Sequence, residues 1–352
     1  MITIGVDAHK GIHVALALND AGREVGDWRG PNSDQGWEDL ARWAAGLANE
    51  RQWGIEGAWN YGRGLAQHLV ALGETVFDIN PRWTAIRRRS ARRPGKTDRL
   101  DASAVAHLVR QETETLPRVL SEDGTSLLDL LTTERDSAVG EATRLRNQIH
   151  ALLMQTDPEY REHLPTLTSR AGLKALLVYE SPKQGSLQEE RAGVVRRLAL
   201  RLQLASSEAD ELEKRIKSIA KASFSPLTTI CGVNLLTAGA LAAILGPGNR
   251  FATDAQMAAY AAAAPLETSS AGLVRHRLNR GGNRRLNSIL YMIVLTQARH
   301  LPEARSYIAR RMSQGKTKRE AHRALKRFVI RAIWHWWQEC QQQQITNFGV
   351  AA

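Results

Sequence analysis

At 352 residues the chain exceeds one average domain, so its length predicts two folded units joined by something elongated. Lys and Arg number 48 against 36 Asp and Glu, a formal charge of +12 that suits a protein meeting polyanions, nucleic acid ahead of anionic membrane. A hydrophobic share of 43% and a charged share of 24% exclude a disordered basic tail, and two cysteines as distant as Cys231 and Cys340 exclude a disulfide framework or a zinc site.

The opening residues carry no apolar signal core, and the longest apolar stretch, 235–245, is about half of a bilayer span. A cytoplasmic, DNA-facing protein with no membrane partner is expected. Ile2, Ile4 and Val6 alternate with Thr3, Gly5 and Asp7, and Ile12, Val14, Leu16 and Leu18 repeat the period, so two strands meet at the Lys10-Gly11 turn. A third strand is predicted around Val25 to Trp28, followed by a helix from about Ser33 with Trp37, Leu40, Trp43, Ala44 and Leu47 on one face. A strand at 52–56, a helix at 64–72, a strand at 75–79 and a helix at 98–110 complete the order βββαβαβα, that of a ribonuclease-H-like fold.

Between the last strand and helix runs a basic loop with Arg82, Arg87, Arg88, Arg89, Arg92, Arg93 and Lys96. A charge run is usually a solvated face, but its place in the fold favours phosphate contact. Residues 126–153 and 191–222 are charged and helical, with Leu198, Leu202, Ala205, Ala209, Leu212, Ile216 and Ile219 at three- and four-residue spacing. They predict coiled-coil arms, antiparallel or intermolecular. From Pro226 the chain is rich in Ala and Gly and mostly helical, and residues 227–245 read as a helix-hairpin-helix around Cys231-Gly232-Val233. The basic stretch 275–285 leads into an apolar helix, and 317–337 is a basic amphipathic helix. Its Trp334, Trp336 and Trp337 fit core filling better than base stacking.

Asp7 ends an apolar strand, where an ionised carboxylate is costly unless paired or bound to a cation. Glu56 ends the strand containing Trp53 and Ile55, and Asp98 and Asp101 share one helix face. Taken singly, each has a bland alternative, Asp7 as a turn residue and Asp98 with Asp101 as an N-cap and its N3 partner. Together in this strand order, four carboxylates without His or Cys favour Mg²⁺ or Mn²⁺ over zinc, in an arrangement suited to phosphoryl displacement.

The segments IGVDAHKGIHVALALNDAG, GIEGAWNYGRGLAQHL and GKTDRLDASAVAHLV resemble the three signature blocks of DEDD-type insertion-sequence transposases, the insertion-sequence one-hundred-and-ten family. AAYAAAAPLETSSAGLVRHRLNRGGNRRLN resembles that family's second conserved domain, which carries its serine. The resemblance implies a RuvC-like ribonuclease-H-fold domain over 1–115, a helical coiled-coil and dimerisation region over 116–222, and a mostly helical serine-bearing transposase domain over 223–352. It implies metal-binding, catalytic carboxylates at Asp7, Glu56, Asp98 and Asp101. It also implies a nucleophile at one of Ser269 and Ser270, and matching the family pattern from Pro265 and back from Arg275-His276-Arg277 puts the family serine at Ser270.

Further implications are donor and target DNA as substrates, a structured bridge RNA as guide, and a homodimer or homotetramer in a bacterial, nucleoid-associated setting. Arg275, Arg277, Arg280, Arg284 and Arg285 join Arg87, Arg88, Arg89, Arg92, Arg93 and Lys96 as nucleic-acid contacts. The chain departs from the family pattern in having Ala271 before Gly272, Ala262 where glycine is usual, and Val233-Asn234 in the hairpin. Three alternatives remain at this stage. A RuvC-type nuclease or junction resolvase would use water in place of the serine. An actin-like ATPase would need phosphate-binding glycines where His9-Lys10 stands, and a non-catalytic binding protein would keep only the fold.

Overall fold

The computed structural model describes residues 1–81, 83–85, 97–114, 116–247, 250–267, 276–277 and 282–349. The chain divides into two compact units, Met1–Asp123 and Gly124–Ala352.

In the first unit β1 (Ile2–Ala8), β2 (Ile12–Leu18) and β3 (Glu24–Pro31) precede α1 (Asp34–Ala45). β4 (Arg51–Glu56), α2 (Arg63–Ala71), β5 (Thr75–Ile79) and α3 (Asp98–Glu112) follow. The sheet order is β3-β2-β1-β4-β5. Neighbours are antiparallel from β3 to β1, where short turns join them, and parallel from β1 to β5, where helical crossovers do. The element order along the chain, βββαβαβα, is the one predicted from the sequence.

One face buries Ile4, Val6, Ala15, Ala17, Trp53 and Ile55 under Leu40 and Ala44 of α1 and Leu65 and Leu69 of α2. On the other, α3 sets Ala102 and Ala106 against Val14, Leu16 and Leu18, and Val105 and Val109 against Phe77 and Ile79. Two glycines paired across β1 and β4, Gly5 and Gly54, lie beneath that helix. A Cβ at Gly5 would stand 2.2 Å from the Ala102 carbonyl oxygen, and one at Gly54 would stand 2.4 Å from Val109 Cγ2. The helix therefore rests directly on the sheet backbone. Its first turn is fixed beside the C-terminal ends of β1 and β4, where the sequence places its carboxylates.

The second unit is mostly helical. α4 (Gly124–Thr156), the short α5 (Tyr160–His163), α6 (Arg170–Leu177) and α7 (Ser186–Ser223) come first. α4 and α7 run antiparallel within the chain. Leu145, Ile149 and Leu153 near the end of one share a core with Ala192, Val195 and Ala199 near the start of the other, and Arg135 reaches Glu213 at 3.4 Å. A 3-10 turn (Ser225–Thr229) follows, then α8 (Leu235–Leu245), α9 (Asp254–Tyr260), the strand pair β6 (Leu266–Glu267) and β7 (His276–Arg277), α10 (Arg284–His300), α11 (Pro302–Ser313) and α12 (Lys318–Gly349).

The predicted first helix of the hairpin is that 3-10 turn, with Pro226 in its first positions, where a missing backbone donor is tolerated. Gly232 takes a φ of +92°, and Asn234 caps α8 by accepting from the Thr237 amide at 2.9 Å. α8 is apolar all round and buried, with Ala238, Leu241, Ala242 and Leu245 sealed in the core. Trp337 is sealed with them and stacks on Phe224 with ring centroids 5.5 Å apart, while Trp334 donates its indole N–H to the Phe251 carbonyl at 3.3 Å. These tryptophans are packing residues, which is the reading the amphipathic pattern favours.

Candidate functional site

Asp7 lies one residue before the end of β1 and pairs in register with Glu56, the last residue of β4. Both side chains emerge on the face covered by α3. Thr97, extended at φ −141° and ψ 150°, caps that helix and accepts from the Leu100 amide at 3.2 Å. The capping-box reading of Asp98 and Asp101 is thereby replaced: both stand in the first turn, where the helix dipole favours negative charge, but neither is the cap. Asp7 is 4% exposed and Asp101 is 6% exposed, whereas Asp98 faces solvent.

His9, in the turn after β1, folds back so that its Nε2 lies 3.0 Å from Asp7 Oδ2 and 3.5 Å from Asp98 Oδ1. Asp7, His9 and Asp98 each offer one ligand atom, all within 4.8 Å of one another. Burial pushes the Asp7 carboxyl from its ordinary 3.8 up to about 6; the His9 charge and hydrogen bond oppose this, and the Glu56 and Asp101 charges add to it. A buried carboxylate crowded by others of its kind is the donor set a hard divalent cation stabilises, so these residues fit such an ion. This set of three differs from the sequence expectation: it includes an imidazole nitrogen, and Glu56 and Asp101 are not among its members.

Two supporting residues had no sequence signal. The Thr84 hydroxyl donates to Glu56 Oε1 at 2.6 Å from a buried position, holding that carboxylate. Asn32 ties down the turn that carries His9: its amide nitrogen is 3.3 Å from the His9, Lys10 and Tyr61 carbonyl oxygens, and its Oδ1 accepts from the Trp37 indole at 2.9 Å. Both are remote in sequence from the groups they position, and only the closed sheet brings them near.

Ser269, Ser270, Arg275 and Arg280 lie outside the described residues, as do Arg87, Arg88, Arg89, Arg92, Arg93 and Lys96. The segment holding the serines is bracketed by β6 and β7, which pair Leu266 with Arg277 and Glu267 with His276. Just before it, Ala262 has a φ of +52°, the left-handed region that favours glycine. Ala262 is one of the positions at which the sequence departs from the pattern it resembles. Arg284 is exposed, whereas Arg285 is engaged within the chain, 3.3 Å from Asp129 and 3.4 Å from Asp136 of α4.

A family model for DEDD transposases of the IS110 type matches residues 4–158, and one described as transposase of the IS116/IS110/IS902 family matches residues 225–309. Together they take in more than half of the chain. Among curated relatives, the 43.6 kDa protein of insertion element IS110 from Streptomyces coelicolor is 29% identical, over 71% of this chain and 73% of its own. The 42 kDa protein of insertion element IS900 from Mycobacterium paratuberculosis is 26% identical, over 94% of each chain. Among solved structures, T. thermophilus RuvC in complex with a Holliday junction substrate is 14% identical with a TM-score of 0.27, over 34% of this chain and 99% of that one. With both signature regions matched in order, the chain belongs to the IS116/IS110/IS902 family of insertion-sequence transposases.

Proposed function

We propose that this transposase cuts and rejoins DNA at a Mg²⁺ or Mn²⁺ site held by Asp7, Glu56, Asp98 and Asp101, and captures the broken strand on Ser270. A bridge RNA selects donor and target. The observation that supports the metal site is the meeting of carboxylates from β1, β4 and the first turn of α3 at one strand end of a chain with a formal charge of +12. When bound, the ion neutralises the scissile phosphate and favours charge moving onto the departing oxygen.

The chain's own groups do the rest. Asp7 and Asp101 provide buried negative charge, Thr84 holds Glu56, and His9 sits against Asp7 where it can exchange a proton with it. The Ser270 hydroxyl oxygen bonds to phosphorus as the bond from phosphorus to the deoxyribose oxygen breaks, and the serine proton passes to that oxygen. The phosphoester keeps the bond energy, so a second deoxyribose hydroxyl reseals the strand by the reverse step without ATP. Arg277 and Arg284, with the basic loop that includes Arg87, Arg88 and Arg89, contact nucleic-acid backbone. The working form is a homodimer or homotetramer in the bacterial cytoplasm, associated with the nucleoid.

The test is strand cleavage by RNA-loaded and RNA-free protein with Mg²⁺, in chelator, and with Asp101→Asn. Cleavage is expected only for the RNA-loaded wild type with the ion. Undiminished cleavage in chelator removes the metal site from the account, and target-specific cleavage by RNA-free protein removes the guide.

A further inference from the structure

The second unit contains a cavity of about 1120 Å³ between α10, α11, α12 and the segment 262–265. Of the charged side chains around it, two are already engaged. Arg327 pairs with Asp254 at 2.8 Å. The Glu320 carboxylate accepts from the Thr317 amide and hydroxyl, each at 2.8 Å. Five cations remain, Arg284, Arg311, Lys316, Arg323 and Lys326, and among the described residues none has a carboxylate within ion-pair distance.

Lys326 is the informative one. It is only 6% exposed, and its ammonium donates to the Asn287 carbonyl at 3.0 Å and to Asn287 Oδ1 at 2.8 Å, both neutral acceptors. Burial, with the nearby Arg323, pushes its pKa down. A buried ammonium without a counter-ion is a costly feature unless an anion arrives to compensate it. Arg311 repeats the pattern on a smaller scale, with a buried Nε that has no hydrogen-bond partner among the described residues.

The same wall presents aromatic surface. Phe328 is 51% exposed and Tyr291 is 46% exposed, and the Lys326 ammonium lies 5.4 Å from the Tyr291 ring centroid. Unpaired cations beside exposed rings match the two demands of unpaired polynucleotide, a cationic track for phosphates and flat surfaces for bases. An acidic peptide would use the cations but not the rings.

We propose that this cavity binds an unpaired stretch of polynucleotide, with phosphates on Lys326, Arg311, Arg323 and Lys316 and bases against Phe328 and Tyr291. Its wall includes Pro265 and Gly282, which flank the Ser270 segment in sequence. The proposal rests on the reading of this protein as one that handles nucleic acid. The site does not depend on the carboxylate cluster or on any cleavage step.

The experiment is fluorescence anisotropy of the full chain with labelled oligothymidylate DNA and oligouridylate RNA, across a salt series without divalent ion. Duplex DNA and polyglutamate serve as competitors. The variants are the exposed pair Arg323→Ala with Phe328→Ala, and separately Lys326→Met. Both are expected to bind at least one oligonucleotide about tenfold more weakly and to show a salt slope shallower by about 0.7 per lost phosphate contact. The exposed pair should melt as wild type does, and Lys326→Met should melt at the same or a higher temperature. A loss confined to DNA or to RNA names the strand, and a loss for both means the site takes either. Unchanged affinity and slope in both variants overturn the proposal. Polyglutamate or duplex competing as well as single strand in the wild type, and losing in parallel in the variants, also overturns it, as does a destabilised Lys326→Met that binds normally.

Discussion

Asp7→Asn in metal-free protein separates what the carboxylate costs the fold from what it does for chemistry. With a pKa of about 6 when folded against an ordinary 3.8, Asp7 binds its proton more tightly in the native state than in the unfolded chain. Stability from this group is therefore greatest below 3.8, declines as pH rises from there to about 6, and is level above. At 1.36 kcal/mol for each pH unit between the two values, the ionised carboxylate costs about 3 kcal/mol at a pH of about 8. The substitution removes that cost, in which the opposing contact with His9 at 3.0 Å is already counted. The variant should thus be about 3 kcal/mol more stable at a pH of about 8, with the advantage gone below about 4.

Amide hydrogen exchange at Ile4 and Val6, inside β1, reads this locally in chelator. Added Mg²⁺ should then stabilise the wild type and leave the variant unchanged. A variant that is less stable than the wild type in chelator at a pH of about 8 would instead make Asp7 a satisfied structural residue with no ionisation cost to remove.

Two further outcomes follow from the backbone. Gly5→Ala places a methyl 2.2 Å from the Ala102 carbonyl oxygen and must lift α3, so it should cost about 3 kcal/mol in urea unfolding. It should also weaken Mg²⁺ binding in calorimetric titration with all four carboxylates intact; unchanged affinity would mean that the seating of α3 does not set the site. Ala262→Gly relieves a left-handed φ of +52° and should stabilise the second unit by up to about 1 kcal/mol, the relief being partly offset by the greater freedom of glycine in the unfolded chain. A lower melting temperature would show that the alanine methyl is itself needed for packing.

The strands of the first unit were legible because each alternation in sequence reports which helix layer covers it. Ile4 and Val6 are large where α1 and α2 pack, and Gly5 is small where α3 lies against the sheet. The carboxylates were legible for a related reason, since charge at the end of an apolar strand is conspicuous. His9 was not, because only the closed turn, pinned by Asn32, swings its ring back to Asp7 and Asp98. Thr97 was overlooked as the cap because Asp98 satisfies the same local pattern one residue later. The 3-10 turn at Pro226 was read as a helix because its apolar spacing is helical and only its length differs. Arg285 was read by charge alone, and the acidic residues of α4 that engage it are about 150 positions away in the chain.

Strand transfer through a protein ester at a metal-dependent site is tested by denaturing electrophoresis of RNA-loaded protein with labelled DNA. Wild type with Mg²⁺ should give a protein–DNA adduct that chelator, Asp101→Asn and Ser270→Ala each abolish, while Ser270→Ala still binds DNA and RNA. An adduct persisting in Ser270→Ala would contradict the assignment of the nucleophile, and efficient cutting by wild type with no adduct would replace strand transfer with hydrolysis by water.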